Sequence, residues 1–238
     1  MASYRIGREM TPLFTAILAA AVSTVTLTSL AQTPPTPQSP QGDAKAGQTK
    51  NAMCIGCHGI KGYQASFPEV HKVPMISGQS AAYIAAALHA YKKGERKHPT
   101  MRSIAATLTE QDMADLAAYY SGNGMAAAGD GALPEAPSKA PGAEVQALLG
   151  KANCASCHGA NFSKPIDPSY PKIGGQHADY LFVALKAYKT DTNPNAGRVH
   201  PIMGAMAKQY TNAELKLMAN YLASLEGDLK VVSQSRFR

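Results

Sequence analysis

The sequence contains no tryptophan, and Phe and Tyr together make up only 7% of 238 residues, so large aromatic rings do not supply most of its interior. Charge is also scarce. Charged residues are 16% of the chain, below the usual quarter or so of a globular protein, while 45% hydrophobic residues suffice to build a core. Cysteine numbers only four, too few for a disulfide scaffold at this length. Past the N-terminus no apolar run approaches the roughly 20 residues needed to span a bilayer, which argues against a multi-span membrane protein. No segment alternates convincingly with the strand period, so the expected class is all-α. The net charge of +7 favours acidic partners, whether protein, nucleic acid or a lipid surface.

The first 31 residues are set aside from the fold. Arg5 and Arg8 precede an apolar stretch over 10–31 that closes on Ser29, Leu30 and Ala31, a small-residue cleavage pattern. This reads as a signal peptide over 1–31, the alternative being an uncleaved N-terminal anchor. Its removal leaves 21 basic and 15 acidic residues, and the mature protein is expected to be soluble, in the periplasm. Residues 32–42 carry Pro34, Pro35, Pro37 and Pro40 among Gln, Thr and Ser, a tether composition that cannot bury a core.

The rest of the chain is one unit written twice. Cys54, Cys57, His58 and Gly59 return as Cys154, Cys157, His158 and Gly159. Pro74, Ile76, Gly78 and Gln79 return as Pro171, Ile173, Gly175 and Gln176, and Tyr83, Leu88 and Tyr91 as Tyr180, Leu185 and Tyr188. His98, Pro99 and Met101 return as His200, Pro201 and Met203. The landmarks persist while loops change length, which defines domains at 43–124 and 142–238. Residues 125–141, rich in Gly, Ala and Pro, form the linker between them.

Each unit reads as helical. A short helix leads into each Cys pair, from about Ala44 and Glu144. Ser80 is placed to cap a helix whose apolar face is Tyr83, Ile84, Ala87, Leu88 and Tyr91; the second copy has Tyr180, Leu181, Ala184, Leu185 and Tyr188. The last helix of each unit opens on a capping pattern, Thr109 with Asp112 and Thr211 with Glu214. Its buried stripe is Met113, Leu116, Ala117 and Tyr120, then Leu215, Met218, Ala219 and Leu222.

Both Cys pairs are C-x-x-C followed at once by His, the pattern of covalent haem attachment. Two thiols reach the vinyl groups of one porphyrin, and the adjacent imidazole lands beneath the iron. Cys54, Cys57, Cys154 and Cys157 would hold two haem c groups, with His58 and His158 as proximal ligands. A single four-thiolate zinc site is disfavoured by the 100-residue separation and leaves the histidines unexplained. Redox disulfides of the thioredoxin type want a βαβ context that is missing, and structural disulfides do not explain His.

The second axial ligand separates a carrier from an enzyme, because two strong protein ligands leave no open position on the iron. Met101 and Met203 lie at matching places in the repeat, with Met206 a rival to Met203. Met53, Met75, Met113, Met125 and Met218 read as core filler or loop residues. His71, His89 and His177 have no counterpart in the other copy and read as surface or boundary positions. His98 and His200 recur, each before a Pro; a structural role fits them best, with His/His ligation the alternative.

On the two C-x-x-C-H-G segments, the Pro-x-Ile-x-Gly-Gln segments, and Met101 and Met203 followed by a capped helix, the chain resembles the cytochrome c4 family over residues 43–228. The resemblance implies two tandem class I cytochrome c domains, His/Met ligation of both irons, and electron delivery to a terminal oxidase from an upstream quinol-oxidising complex. It also implies that the carbonyls of Pro74 and Pro171 accept hydrogen bonds from the proximal imidazoles. The expected function is a respiratory electron carrier with no catalytic residues. The alternative is a dihaem enzyme or its electron-transfer subunit, of the peroxidase or thiosulfate dehydrogenase type.

Lys92, Lys93, Arg96, Lys97 and Arg102 crowd the approach to Met101, which predicts a positive rim on the first haem for acidic redox proteins. Peripheral membrane association fits the same charge. Nucleic acid does not, since no base-stacking motif is present.

Overall fold

The computed structural model describes residues 40–123, 133–190 and 193–233. The signal segment, all but the last three residues of the tether, the first part of the linker, and Met125 lie outside these. Helix α1 (Ala44–Lys50) starts where the Asp43 side chain accepts from the amides of Lys45 and Ala46, and α2 (Ala52–His58) carries the first Cys pair. Helices α3 (Ala81–Lys93), α4 (Pro99–Ala106) and α5 (Glu110–Gly122) complete the first half. The second half repeats the order in α6 (Ala143–Ala152), α7 (Ala155–His158), α8 (Ala178–Lys189), α9 (Pro201–Ala207) and α10 (Asn212–Ala223).

The helix starts follow from local chemistry. Both capping boxes form in full, Thr109 with Asp112 at α5 and Thr211 with Glu214 at α10, each satisfying an orphan amide at the helix start. Helices α4 and α9 begin with a proline whose missing N–H costs nothing there, and His98 and His200 cap them by accepting from the amides of Met101 and Met203. This is the structural role expected of the two histidines. Ser80 departs from expectation. It occupies the first position before α3, but its hydroxyl donates to the Pro168 carbonyl of the other half instead of capping.

The stripes of the two C-terminal helices are the cores. Met113, Leu116, Ala117 and Tyr120 pack with Ile84 and Leu108 in the first half, and α1 crosses close over α5 at Gly47. A Cβ there would sit 2.1 Å from the Asp115 carbonyl oxygen, so glycine is required by the approach. In the second half Leu215 and Met218 pack with Leu148, Ala152 and Tyr210, while Ala219 and Leu222 join Phe162, Leu181 and Leu225. Burial of each Leu or Met at these sites contributes roughly 1.5–3 kcal/mol.

The two copies differ where their loops differ. The longer loop after His58 folds into a hairpin of β1 (Gln64–Ala65) and β2 (His71–Lys72), paired antiparallel, a sheet too short to leave an alternating signal in sequence. The hairpin leans on the second half. The Lys72 amide donates to Asp179 Oδ2 at 3.0 Å, and Glu69 pairs with Lys186. His71 is buried, at 5% exposure, which excludes the surface half of its surface-or-boundary reading: its ring lies against His98 and Tyr180. A residue without a counterpart in the repeat turns out to mark the contact between the halves.

The described residues form one compact unit. Equivalent residues Arg96 and Arg198 face each other in an antiparallel bridge, with the Lys97 amide donating to the Gly197 carbonyl (2.9 Å) and the Val199 amide to that of Glu95 (2.8 Å). The later linker residues also dock, as Lys139 and Pro134 carbonyls accept from Tyr221 and Asn161. At the far end of the chain, Lys230 bridges to Ser77 and Ser233 donates to the Gly59 carbonyl, strapping the second half over the first. No helix among the described residues is long and apolar enough to cross a membrane.

Candidate haem sites

Helical geometry places Cys54 and Cys57 one turn apart, on neighbouring positions of α2, with His58 ending the helix. In the second half Cys154 immediately precedes α7, which holds Cys157 and His158. Gly159 follows at φ +82°, where a Cβ would lie 2.0 Å from the Lys164 carbonyl oxygen, so only glycine lets the chain leave the motif this way. None of the four cysteines is in a disulfide, and all four are half-buried. Burial pushes the Cys54 and Cys154 thiols up to about 11.

The imidazoles are fixed by one backbone contact each. His58 Nδ1 donates to the Pro74 carbonyl at 2.8 Å, and His158 Nδ1 to the Pro171 carbonyl at 2.9 Å. A carbonyl only accepts, so the proton is on Nδ1 and the lone pair on Nε2. Burial, opposed in part by the proline carbonyl, holds both imidazoles below the ordinary histidine range, so they are neutral at neutral pH. A neutral ring with a free Nε2 is the form that binds a metal.

Met101 and Met203 are both half-buried on the first turn of their helices. Met206, also half-buried, packs against the cluster of Leu148, Ala152, Tyr210, Leu215 and Met218, which Cys154 touches as well. Burial, with His71 beside it, holds the His98 imidazole below the ordinary histidine range.

Three features fit a haem in each half. The thiol pair and Nε2 supply its covalent and axial donors. The Tyr120 and Tyr210 hydroxyls are buried beside Cys54 and Cys154 and find no nitrogen or oxygen partner among the described residues, so polar atoms already line both pockets. Arg96 and Arg198 lie over Tyr83 and Tyr91, and over Tyr180 and Tyr188, without a carboxylate partner among the described residues. A porphyrin brings the carboxylates these cations lack. A bare-metal site has no such support, for nowhere among the described residues do three His, Cys, Asp or Glu side chains converge. The four cysteines do not meet.

The expected basic rim is reshaped by these contacts. The Arg96 backbone joins the contact between halves while its guanidinium donates to Tyr83 of its own half, and the Lys92 ammonium donates to the Leu108 carbonyl at 2.5 Å, as Lys189 does to Tyr210 at 2.6 Å. These are packing roles shared by both copies. Lys92, Lys93 and Arg102 remain exposed, while Arg96 and Lys97 are half-buried.

The cytochrome c family profile matches residues 44–121 and 142–226. The chain is 30% identical over 195 residues to cytochrome c4 of Stutzerimonas stutzeri, spanning 77% of this chain and 90% of that one. It is 28% identical over 178 residues to the thiosulfate dehydrogenase electron acceptor of Stutzerimonas stutzeri strain A1501, spanning 72% and 78% respectively. Among solved structures, cytochrome c4 of Acidithiobacillus ferrooxidans superposes with a TM-score of 0.53 at 26% identity, over 74% of this chain and 99% of that one. The duplicated haem motif, the all-helical repeat and these matches agree: the chain belongs to the cytochrome c4 family, electron carriers built from two cytochrome c domains with two covalent haem c groups.

Proposed function

We propose that this protein is an exported, periplasmic dihaem carrier that passes single electrons to a terminal oxidase, with His58 and Met101 as axial ligands of one iron and His158 and Met203 of the other. The observation that carries the reading is the match between halves: each has a neutral imidazole locked by a proline carbonyl and a methionine on a His-capped, Pro-started helix. Haem iron with two such ligands supplies reversible one-electron exchange and no open coordination position. The protein's own contribution is to hold those ligands still. Nδ1 is tied to the backbone, and His98 and His200 fix the first turn that presents each methionine. A soft thioether at that position favours reduced iron and raises the potential, which suits a donor to an oxidase.

A second reading is favoured by the relatives that are thiosulfate dehydrogenase electron acceptors. Here the same carrier would take electrons from thiosulfate oxidation. One experiment separates the two. The reduced holoprotein is mixed with membranes containing a terminal oxidase, and the oxidised holoprotein with thiosulfate and a thiosulfate dehydrogenase, each followed by haem absorbance. Fast, cyanide-sensitive oxidation in the first supports the oxidase reading; no oxidation there, with fast reduction in the second, replaces it by the thiosulfate reading.

A further inference from the structure

Gln79 and Gln176 hold equivalent places in the two repeats and are both nearly inaccessible, at 4% exposure. Neither serves its own half alone. Gln79 Oε1 accepts from the Lys172 amide at 2.9 Å while its Nε2 donates to the Lys172 carbonyl at 3.0 Å. Gln176 does the same to Met75, accepting from its amide at 3.0 Å and donating to its carbonyl at 2.9 Å. Each Oε1 also accepts from the next residue's amide, Ser80 or His177. The orientation of both side-chain amides is thereby set, because a flipped amide would point N–H groups at two N–H donors.

The residues they grip matter more than the grip. The Lys172 N–H belongs to the same peptide group as the Pro171 carbonyl, the acceptor for His158 Nδ1. The Met75 N–H likewise belongs to the peptide whose Pro74 carbonyl accepts from His58 Nδ1. A continuous hydrogen-bonded chain therefore runs from Gln79 of the first half to His158 of the second, and from Gln176 of the second to His58 of the first. Hydrogen bonds in series polarise one another: an acceptor on the peptide N–H makes its carbonyl a stronger acceptor in turn. A stronger acceptor at Nδ1 draws that proton and makes the imidazole a more electron-rich ligand, which stabilises oxidised iron and lowers the potential.

We infer that Gln79 and Gln176 are positioning residues that act across the halves, each tuning the haem potential of the opposite half through the peptide that holds its proximal histidine. The inference rests on His58 and His158 being iron ligands, as proposed above. The control is crossed and reciprocal. Neither haem has its full ligand field unless the two halves are packed together, so the contact between them is part of both redox centres.

The test uses the holoprotein with Gln79→Leu and Gln176→Leu. Haem-resolved redox titration, with each haem identified by its hyperfine-shifted axial methionine and imidazole resonances, reads the effect. Gln79→Leu is expected to raise the reduction equilibrium constant of the His158 haem about twofold, a transmitted fraction of one hydrogen bond, and to shift its Nδ1 proton resonance. The His58 haem stays unchanged in that variant, and Gln176→Leu gives the mirror result. A shift confined to the variant's own half, equal shifts in both haems, or no shift overturns the inference while leaving ligation intact. Wild-type spectra without an iron-bound imidazole in either half overturn the ligand reading itself, and this inference with it. Should a variant fail to fold, hydrogen exchange in the wild-type holoprotein decides: the Met75 and Lys172 amides must be protected, and exchange at open-chain rates rules the crossed contacts out.

Discussion

Arg96 and Arg198 meet across the two halves through their backbones, and each guanidinium turns back to a tyrosine hydroxyl of its own half, Arg96 to Tyr83 at 3.1 Å and Arg198 to Tyr180 at 2.9 Å. Burial, against the pull of Arg198, holds the Tyr180 hydroxyl up at about 12, so that tyrosine stays neutral and does not cancel the charge. Two like charges placed together without an acid of their own suit a site completed by the carboxylates of the haems.

Arg96→Gln should therefore weaken the holoprotein. It removes stacking over two rings and one hydrogen bond, a net cost of about 1–2 kcal/mol after the relief of repulsion with Arg198. At this chain length that is roughly 2–8 °C in Tm by calorimetry. The lost positive charge should also lower the potential of at least one haem. A Tm and potentials equal to wild type would mean that the pair contributes nothing net.

The two methionines of the second half should separate cleanly. Met203→Ala is expected to convert the second haem from low spin to high spin, with loss of the methionine methyl resonance and little change in the first haem. Met206→Ala is expected to keep ligation but to leave a hole against the core cluster that includes Tyr210 and Leu215, at a cost of about 2 kcal/mol for a half-buried side chain. Absorption and proton spectra of both variants decide, and the reverse assignment would be read from a high-spin Met206→Ala protein.

Acid should attack the first half before the second. Asp115 is buried where α1 crosses α5, and it accepts from the Asp43 amide (2.8 Å), the Lys50 ammonium (2.6 Å) and Gln111 (2.8 Å). The Asp43 amide, then Lys50, hold its carboxyl below the ordinary range, and Lys50 with Thr109 does the same to Asp112. A depressed carboxylate stabilises the fold fully above the unfolded value near 3.8, and that contribution is lost as pH falls through the lower folded value. The repeat counterpart of Asp115 is Leu217, which does not titrate. Asp115→Asn should cost about 1–2 kcal/mol at neutral pH, discounted for the exposed end of Lys50, and flatten stability below pH 4. Circular dichroism across an acid titration measures both, and identical acid profiles for wild type and variant would rule the clamp out.

Much of this was legible in the sequence because it is local. Capping boxes, Pro-started helices and the spacing of two thiols and an imidazole are settled within a few residues, and duplication made each visible twice. What the sequence hides is how one copy meets the other. Arg96 looked like one more cation in a basic run, and only the fold shows it turned inward beside its own counterpart. His71, lacking a partner in the repeat, looked peripheral for the same reason. Gln79 and Gln176 were visible as matched letters, but the peptide each one grips lies roughly a hundred residues away.

The most direct test of the account is a redox titration of the purified holoprotein followed by absorption and magnetic circular dichroism. Two reversible one-electron transitions, both from low-spin haems with the His/Met signature, are the predicted result. One high-spin haem, or one ligated by two imidazoles, would contradict it and point to a site where substrate chemistry takes place.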